Sequence, residues 1–490
     1  MTAAQRPVDL LIAGGTIITM DPCRRVLEGG AVATVADRIV DVGYATDLRA
    51  KYHARRVIEA DHHLVLPGLI DGHGHAGHGL IKTLGIDYPG EWERVCELVY
   101  SRMSDEEFWE VDSLRTALER LKFGVTCGVT YLGGGGAIPG GDMVMRTDDP
   151  VYGERHCDAI QLIGIREFLV VGPRHPPFPH SYVSGIGPTR RQKHIFFEDH
   201  VSTCETLISR WHNRANGKIR ISLMFPVHDP AKGITDRTEQ RELENQARVV
   251  RDLTRRWGLL FGQDGHTTGT VKFAHEVLGL LGPDALLSHA TDLTAEEIGI
   301  CQRTGTRIVH NPSSIASVLG RCPVVPLLDA GVTVILGSDG PSPDRSCDMF
   351  RHMFHCARYH RTLYRDPRIL PAGKVLEMVT IDAATALGLQ HELGSLEPGK
   401  KADLIMVDTL RPHLTPSHMP VHLIVDYVNG NDVDTVVVDG QVLMEDRVVQ
   451  TINEADVLHR AQSLMDKMLE HAGLKDLLAP PPGFWGKTRC

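Results

Sequence analysis

Eight apolar runs of strand length, separated by helix-forming stretches, constrain this chain more than any other feature. They read "VLPGLIDGHGH", "VTCGVTYLG", "IGIREFLVVG", "KIRISLMFPVH", "GLLFGQDGH", "DALLSHA", "TRIVHNPSS" and "GVTVILGSDG". Runs without polar alternation suit strands buried on both faces, as in parallel sheets covered by helices. Eight successive βα units favour an α/β architecture closed as a (β/α)8 TIM-like barrel. The helical stretches support this. Ser104 to Phe123 reads as a helix with a Ser104/Glu107 capping box, an apolar face of Phe108, Val111, Leu114, Leu118 and Leu121, and Gly124 as the stop.

The ends have a different texture. Residues from about 8 to 66 alternate β-branched and polar residues between turns, and "KADLIMVD" and "VDTVVVDGQVLMED" repeat that pattern near the other end. The expected organisation is a β-sandwich built from 1–66 and 391–450, a barrel over 67–390, and a C-terminal helix and tail over 451–490. The helix spans Asn453 to His471, with Val457, Leu458, Ala461, Leu464, Met465 and Met468 on one side. The tail "APPPGFWGKTRC" reads as an arm on a neighbour or a loose end.

Composition excludes several classes. A net charge of -10 argues against nucleic acid as the main partner. Ten cysteines without C-x-x-C pairs indicate neither a zinc ribbon nor a disulfide framework, so a reducing cytoplasm is expected. Cys301, Cys322 and Cys347 read as buried thiols. No run approaches the roughly 18 apolar residues of a membrane helix, and "DLLIAGG" is too short for a signal segment.

The 26 histidines cluster where strands end. In "GHGH", residues i and i+2 of a strand share one side, so His73 and His75 aim both imidazoles at one point, with Gly74 leaving room for a metal or substrate. Later strand ends supply His228, Gln263–Asp264–His266, His289, His310 and Asp339. Catalytic groups of a barrel sit at these C-terminal ends.

These stretches, with "LLSHATDLTAEEI", "EMVTIDAATALGL" and "LGSLEPGKKADLIMVD", resemble the amidohydrolase superfamily. The nearest branch holds S-adenosylhomocysteine deaminase, guanine deaminase and the triazine hydrolases. The resemblance implies that His73, His75 and Asp339 ligate a divalent metal. It further implies that Asp339 takes a proton from water and that His289 hydrogen-bonds the attacking hydroxide or the substrate. His228 resembles a substrate-facing histidine, with a polar-loop histidine as the alternative.

The fifth strand departs from the family's H-x-x-E: depending on register, Gln263 or Asp264 takes the histidine's place, and His266 or Thr267 the glutamate's. Either His266 supplies the third ligand from a shifted position, or Gln263 or Asp264 coordinates and His266 shuttles protons. His266 as ligand is the expectation carried forward. Two-metal relatives carry a lysine on the fourth strand; "IRISLMF" has none, so one ion is expected, Zn2+ first and Fe2+ as the alternative.

Other features are weaker. "YLGGGGAIPGGD" lacks G-K-[ST] and reads as a loop over the barrel mouth. Arg174, with His175 and His180, reads as part of a solvated loop, with a cationic insertion that receives an anionic substrate group as the alternative. The expected function is hydrolytic deamination of a small aminated N-heterocycle (purine, pterin or triazine type) by a homodimer or larger homo-oligomer. Dechlorination or N-dealkylation, cyclic amide hydrolysis, and a non-catalytic scaffold are the alternatives.

Overall fold

The computed structural model describes residues 5–86, 88, 90–134, 145–185, 187–230, 236–314, 320–481 and 483–486. Eight parallel strands run in sequence order: Leu69–His75, Val125–Tyr131, Arg166–Val171, Ile219–Met224, Phe261–Gln263, Ala285–Ser288, Arg307–His310 and Val334–Leu336. Each pairs with the next in parallel register. The eighth returns to the first where the Asp339 amide donates to the His73 carbonyl at 2.9 Å. The result is a nearly closed (β/α)8 barrel. Every residue of the second and third strands is buried, which is why these segments read as continuous apolar runs.

Two further sheets flank the barrel. One orders Arg38–Tyr44, Gly30–Val35, Arg6–Ala13 and Tyr52–Glu59; the other has seven strands and joins His63–Pro67 antiparallel to Leu404–Asp408. Leu10, Ile12 and Val32 of the first sheet pack against Ile17, Val65, Leu404 and Met406 of the second. That interface unites sequence positions nearly 400 residues apart through alternating inward side chains.

The helix expected from Ser104 spans Glu106–Lys122, and Asp105, not Ser104, is its cap, accepting from the Phe108 amide. Ser104 Oγ instead receives Arg146 Nη1. The C-terminal helix is Glu454–Ala472, capped by Asn453; Leu458 lies on its exposed side, while Leu469 takes a buried place. No helix among the described residues is long and apolar enough to cross a membrane. The glycine-rich segment 135–144 and parts of the C-terminal tail (482 and 487–490) lie outside the described residues.

A buried ionic network underlies the barrel mouth. Arg120, from the helix after the first strand, donates to Asp71 at 2.8 Å, to both Glu167 oxygens at 3.1 Å and to Thr130 at 2.6 Å. Asp71 also accepts from the Ser338 amide at 2.8 Å and the Ser338 hydroxyl at 2.7 Å. Strands one, two, three and eight are thus tied below the mouth. Gly74 serves this network: a Cβ there would lie 2.7 Å from Arg120 Nη2. The glycine between the two histidines therefore makes room for a guanidinium, not for a metal or substrate.

Removing Arg120 strands two buried carboxylates. The R120M variant is expected to lose about 3–5 kcal/mol of stability, read as a lower urea midpoint. A loss below about 1 kcal/mol would show that the network does not brace the barrel.

Candidate metal centre

The first strand delivers His73 and His75 to the lumen on the same face, as period-two alternation requires. The fifth strand obeys the same parity. Phe261 faces outward, its ring 4.8 Å from the Arg251 guanidinium, and Gln263 also turns from the lumen to donate to the Phe225 carbonyl at 3.1 Å. Gly262 and Asp264 share the opposite face: a Cβ on Gly262 would meet the Tyr131 hydroxyl at 2.5 Å, and Asp264 reaches the first-strand pair. Beyond the strand ends, His289 (φ 65°) and Asp339 (φ 62°) adopt left-handed backbone conformations that turn them inward. Such conformations are uncommon outside glycine, and strain of this kind concentrates at functional sites.

These side chains converge. His75 Nε2 lies 3.2 Å from Asp339 Oδ1 and 3.3 Å from Asp264 Oδ2. His73 Nε2 lies 3.4 Å from Asp264 Oδ1 and 3.8 Å from Asp339 Oδ1. His289 Nε2 is 3.0 Å from Asp264 Oδ1 and 3.9 Å from Asp339 Oδ2. All five residues are buried or nearly so.

Two overlapping donor groups, His73–His75–Asp339 and His73–Asp264–His289, each fall within 4.8 Å. Ligands on bonds of about 2 Å in a tetrahedron stand about 3.3 Å apart, so the shorter separations already match a coordination shell. His73 has no hydrogen-bond partner on either ring nitrogen. The residues fit a cation.

The surroundings orient the donors. His75 Nδ1 donates to the Gly133 carbonyl at 2.9 Å, which turns the Nε2 lone pair inward once the ring is neutral. Asn311 Nδ2 donates to Ser288 Oγ at 2.9 Å and stands 3.3 and 3.4 Å from the two His289 ring nitrogens, while Asp264 Oδ1, 3.0 Å from His289 Nε2, favours a proton on that inward-facing nitrogen. Ser314 Oγ donates to Asp339 Oδ2. The Arg345 guanidinium stands 3.8 Å from the same oxygen, and His78 stacks on His75 at 5.0 Å. His78, Asn311, Ser314 and Arg345 were not singled out in the sequence, although each lies within six residues of a motif that was.

Comparison with known proteins fits this geometry. The profile described as "Amidohydrolase family" matches residues 254–443. A curated relative, 5-methylthioadenosine/S-adenosylhomocysteine deaminase of Syntrophobacter fumaroxidans, is 31% identical over 473 residues, covering 93% of this chain and 97% of its own. The chain belongs to the amidohydrolase family. Among solved structures, the zinc-bound adenosine deaminase of Xanthomonas campestris superposes with a TM-score of 0.78 at 21% identity, over 95% of this chain and 100% of its own. The zinc complex of atrazine chlorohydrolase from Arthrobacter aurescens superposes with a TM-score of 0.72 at 22% identity, over 93% and 100%. At such identities these two matches speak for the fold.

Within this amidohydrolase the fifth strand corrects one expectation. His266 does not turn to the first-strand pair: its Nδ1 hydrogen-bonds Thr270 Oγ1 at 2.9 Å and its Nε2 hydrogen-bonds Gln263 Oε1 at 3.3 Å. Burial pushes it down to about 3, so it stays neutral. The physical reason is the turn at Gly265 (φ 93°), just past the strand end at Gln263, which redirects the chain after Asp264. Asp264 takes the place among the donors. The signal was available in the parity of "FGQDG", whose lumen-facing positions are Gly262 and Asp264.

His228 lies outside the donor groups, 5.4 Å from the His175 ring and 5.0 Å from Phe273. Arg174 is half-buried in the loop after the third strand. His310 faces the helix layer, 5.2 Å from the His360 ring.

Charge in the cluster is frustrated. Burial alone would raise both carboxyls, yet His73, His289 and His75 hold Asp264, and Arg345, His75 and His289 hold Asp339, well below the usual range. Burial drives His73 down to about 3. On His75 burial also works downward, but hydrogen bonds to Asp264 and Asp339 outweigh it and push the ring up to about 10. Two buried carboxylates thus keep a proton on His75 when no metal neutralises them.

Binding a divalent ion at neutral pH must displace that proton, because the His75 value lies above pH 7. Metal affinity should therefore rise with pH, by about tenfold per unit between pH 6 and 9, with about one proton released per ion. Titration calorimetry in buffers of different ionisation enthalpy reads the release. Affinity independent of pH and buffer would mean that His75 is already neutral.

Proposed function

We propose that this amidohydrolase deaminates a small aminated N-heterocycle, of purine-nucleoside or related type, with one divalent ion held by His73, His75, Asp264 and Asp339. The observation that carries the reading is the convergence of these four donors with His289 at the C-terminal ends of the barrel strands. The deaminase relative supports the leaving group. Imidazole and carboxylate donors suit Zn2+ first; the second carboxylate makes the set harder and strengthens the case for Fe2+.

When bound, such an ion supplies Lewis acidity, lowering the pKa of water from about 15.7 toward about 7. The protein's groups do the rest. Asp339 accepts the proton from the attacking water as oxygen bonds to the ring carbon. The His289 Nε2 proton stabilises the charge that develops there. The carbon–nitrogen bond then breaks, and Asp339 returns its proton to the departing nitrogen, yielding ammonia and an oxo product. Asp339 fills both roles because Thr267 stands where the family's glutamate would be. Arg174 and His228 lie at loops after strands three and four, where they would meet the substrate's periphery.

That threonine supports a second reading. A halide leaves without a proton, so hydrolytic dechlorination of a triazine-type ring needs no shuttle acid. Homo-oligomerisation and a cytoplasmic setting belong to the same proposal; the nine described cysteines are all unpaired, consistent with reducing conditions.

Ammonia and chloride release should be measured across purine nucleosides, pterins and chlorotriazines. Chelation should abolish activity and added Zn2+ or Fe2+ restore it. D339N should lower kcat by about 10²- to 10⁴-fold with unchanged circular dichroism. Full activity in metal-free protein, or in D339N, would refute the reading.

A further inference from the structure

A second set of metal-ligating side chains lies outside the barrel lumen. His310 ends the seventh strand, and the helix Met349–Tyr364 packs behind it. Cys356 and His360 are four residues apart on that helix, so they share a face. One nitrogen of each imidazole and the Cys356 sulfur all lie within 4.8 Å of one another. The two Nε2 atoms are 3.3 Å apart, the edge length of a tetrahedron with bonds of about 2 Å. His310 and Cys356 are fully buried and His360 is 1% exposed.

The bland account is a buried histidine pair joined by one N–H···N bond beside a packing thiol. It gives no part to the Cys356 sulfur, although this lies within 4.8 Å of a nitrogen of each ring. A common ion uses the sulfur and both inward nitrogens together.

We infer that His310, Cys356 and His360 form a second metal site, separate from the hydrolytic centre, that takes one thiophilic ion, Zn2+ or Cu+. Thiolate with imidazole is the donor chemistry of both. Binding breaks the Cys356 S–H bond, releases that proton to solvent and forms the metal–sulfur bond; no electrons change hands. Both imidazoles would bind as neutral ligands, and the Arg321 guanidinium lies near His360. Charge separates the two ions. With one thiolate and Arg321 nearby, Cu+ gives a neutral complex and Zn2+ leaves one positive charge, whereas the tetrahedral edge suits Zn2+.

The experiment uses the full chain expressed in medium supplemented with cobalt, as a stand-in for zinc, or with copper. Burial requires loading as the chain folds. The hydrolytic cluster has only nitrogen and oxygen donors, so a thiolate-to-cobalt charge-transfer band reports on Cys356 and not on activity. The expected result is that band, or about one retained, EPR-silent copper per chain; the arm that responds names the ion. C356S should lose at least nine-tenths of the signal while ammonia release and the other metal equivalent persist. H360Q keeps the thiol and should lose the signal too, which decides the matter if C356S fails to fold. No signal in either arm from folded protein, or a signal kept by C356S or H360Q, would overturn the inference.

Discussion

Two carboxylates held in one buried pocket are the constraint on which the rest of this structure depends. Asp264 and Asp339 point at the same imidazoles from opposite sides of the barrel, shielded from water. Like charges in a desolvated site repel strongly, and burial penalises each of them further. A cation must answer them. In its absence the cluster does so by keeping His75 protonated. The architecture resists this repulsion from below: Arg120 bridges Asp71 and Glu167 directly under the histidine strand, and Asp71 in turn fixes Ser338, the neighbour of Asp339.

With Asp264 as a ligand in place of a neutral histidine, as proposed, the centre would differ in what it can do. A divalent ion beside two carboxylates is formally neutral as a complex, so it sits more comfortably in a dry cavity than one beside a single carboxylate. The same neutrality makes the ion a weaker Lewis acid toward water. More of the work of activation then falls on Asp339 as base and on His289 as donor. Such a centre suits an electron-poor ring carbon, which needs less polarisation before attack.

The fold was legible because its strands are buried on both faces, so that "VTCGVTY" and "REFLVV" appear as unbroken apolar runs. His73, His75, His289 and Asp339 were legible because they flank those runs. The fifth strand was harder: only Phe261–Gln263 is paired, too short for alternation to announce itself, and Gln263, Asp264 and His266 crowd its end. Gly74 was misread for a related reason. Its neighbour Arg120 lies 46 residues away, and only tertiary packing brings the guanidinium to it. Capping failed locally, since Ser104 and Asp105 are both competent caps and the contact with Arg146 decides between them.

The seventh strand shows how closely the two donor clusters are joined. His310 and Asn311 are consecutive: one faces the outer helix, while the other turns inward to hold Ser288 and His289. The outer helix begins ten residues after Asp339, and Arg345 lies on the chain between them. An ion gripping Cys356, His360 and His310 would therefore tie the helix to the strand whose end orients the His289 donor. Its contribution would be to the stability of the seventh strand, leaving the chemistry to the donors of the hydrolytic centre. Such a tether is most useful where the backbone is already strained, and His289 and Asp339, both in left-handed conformations, sit on either side of it.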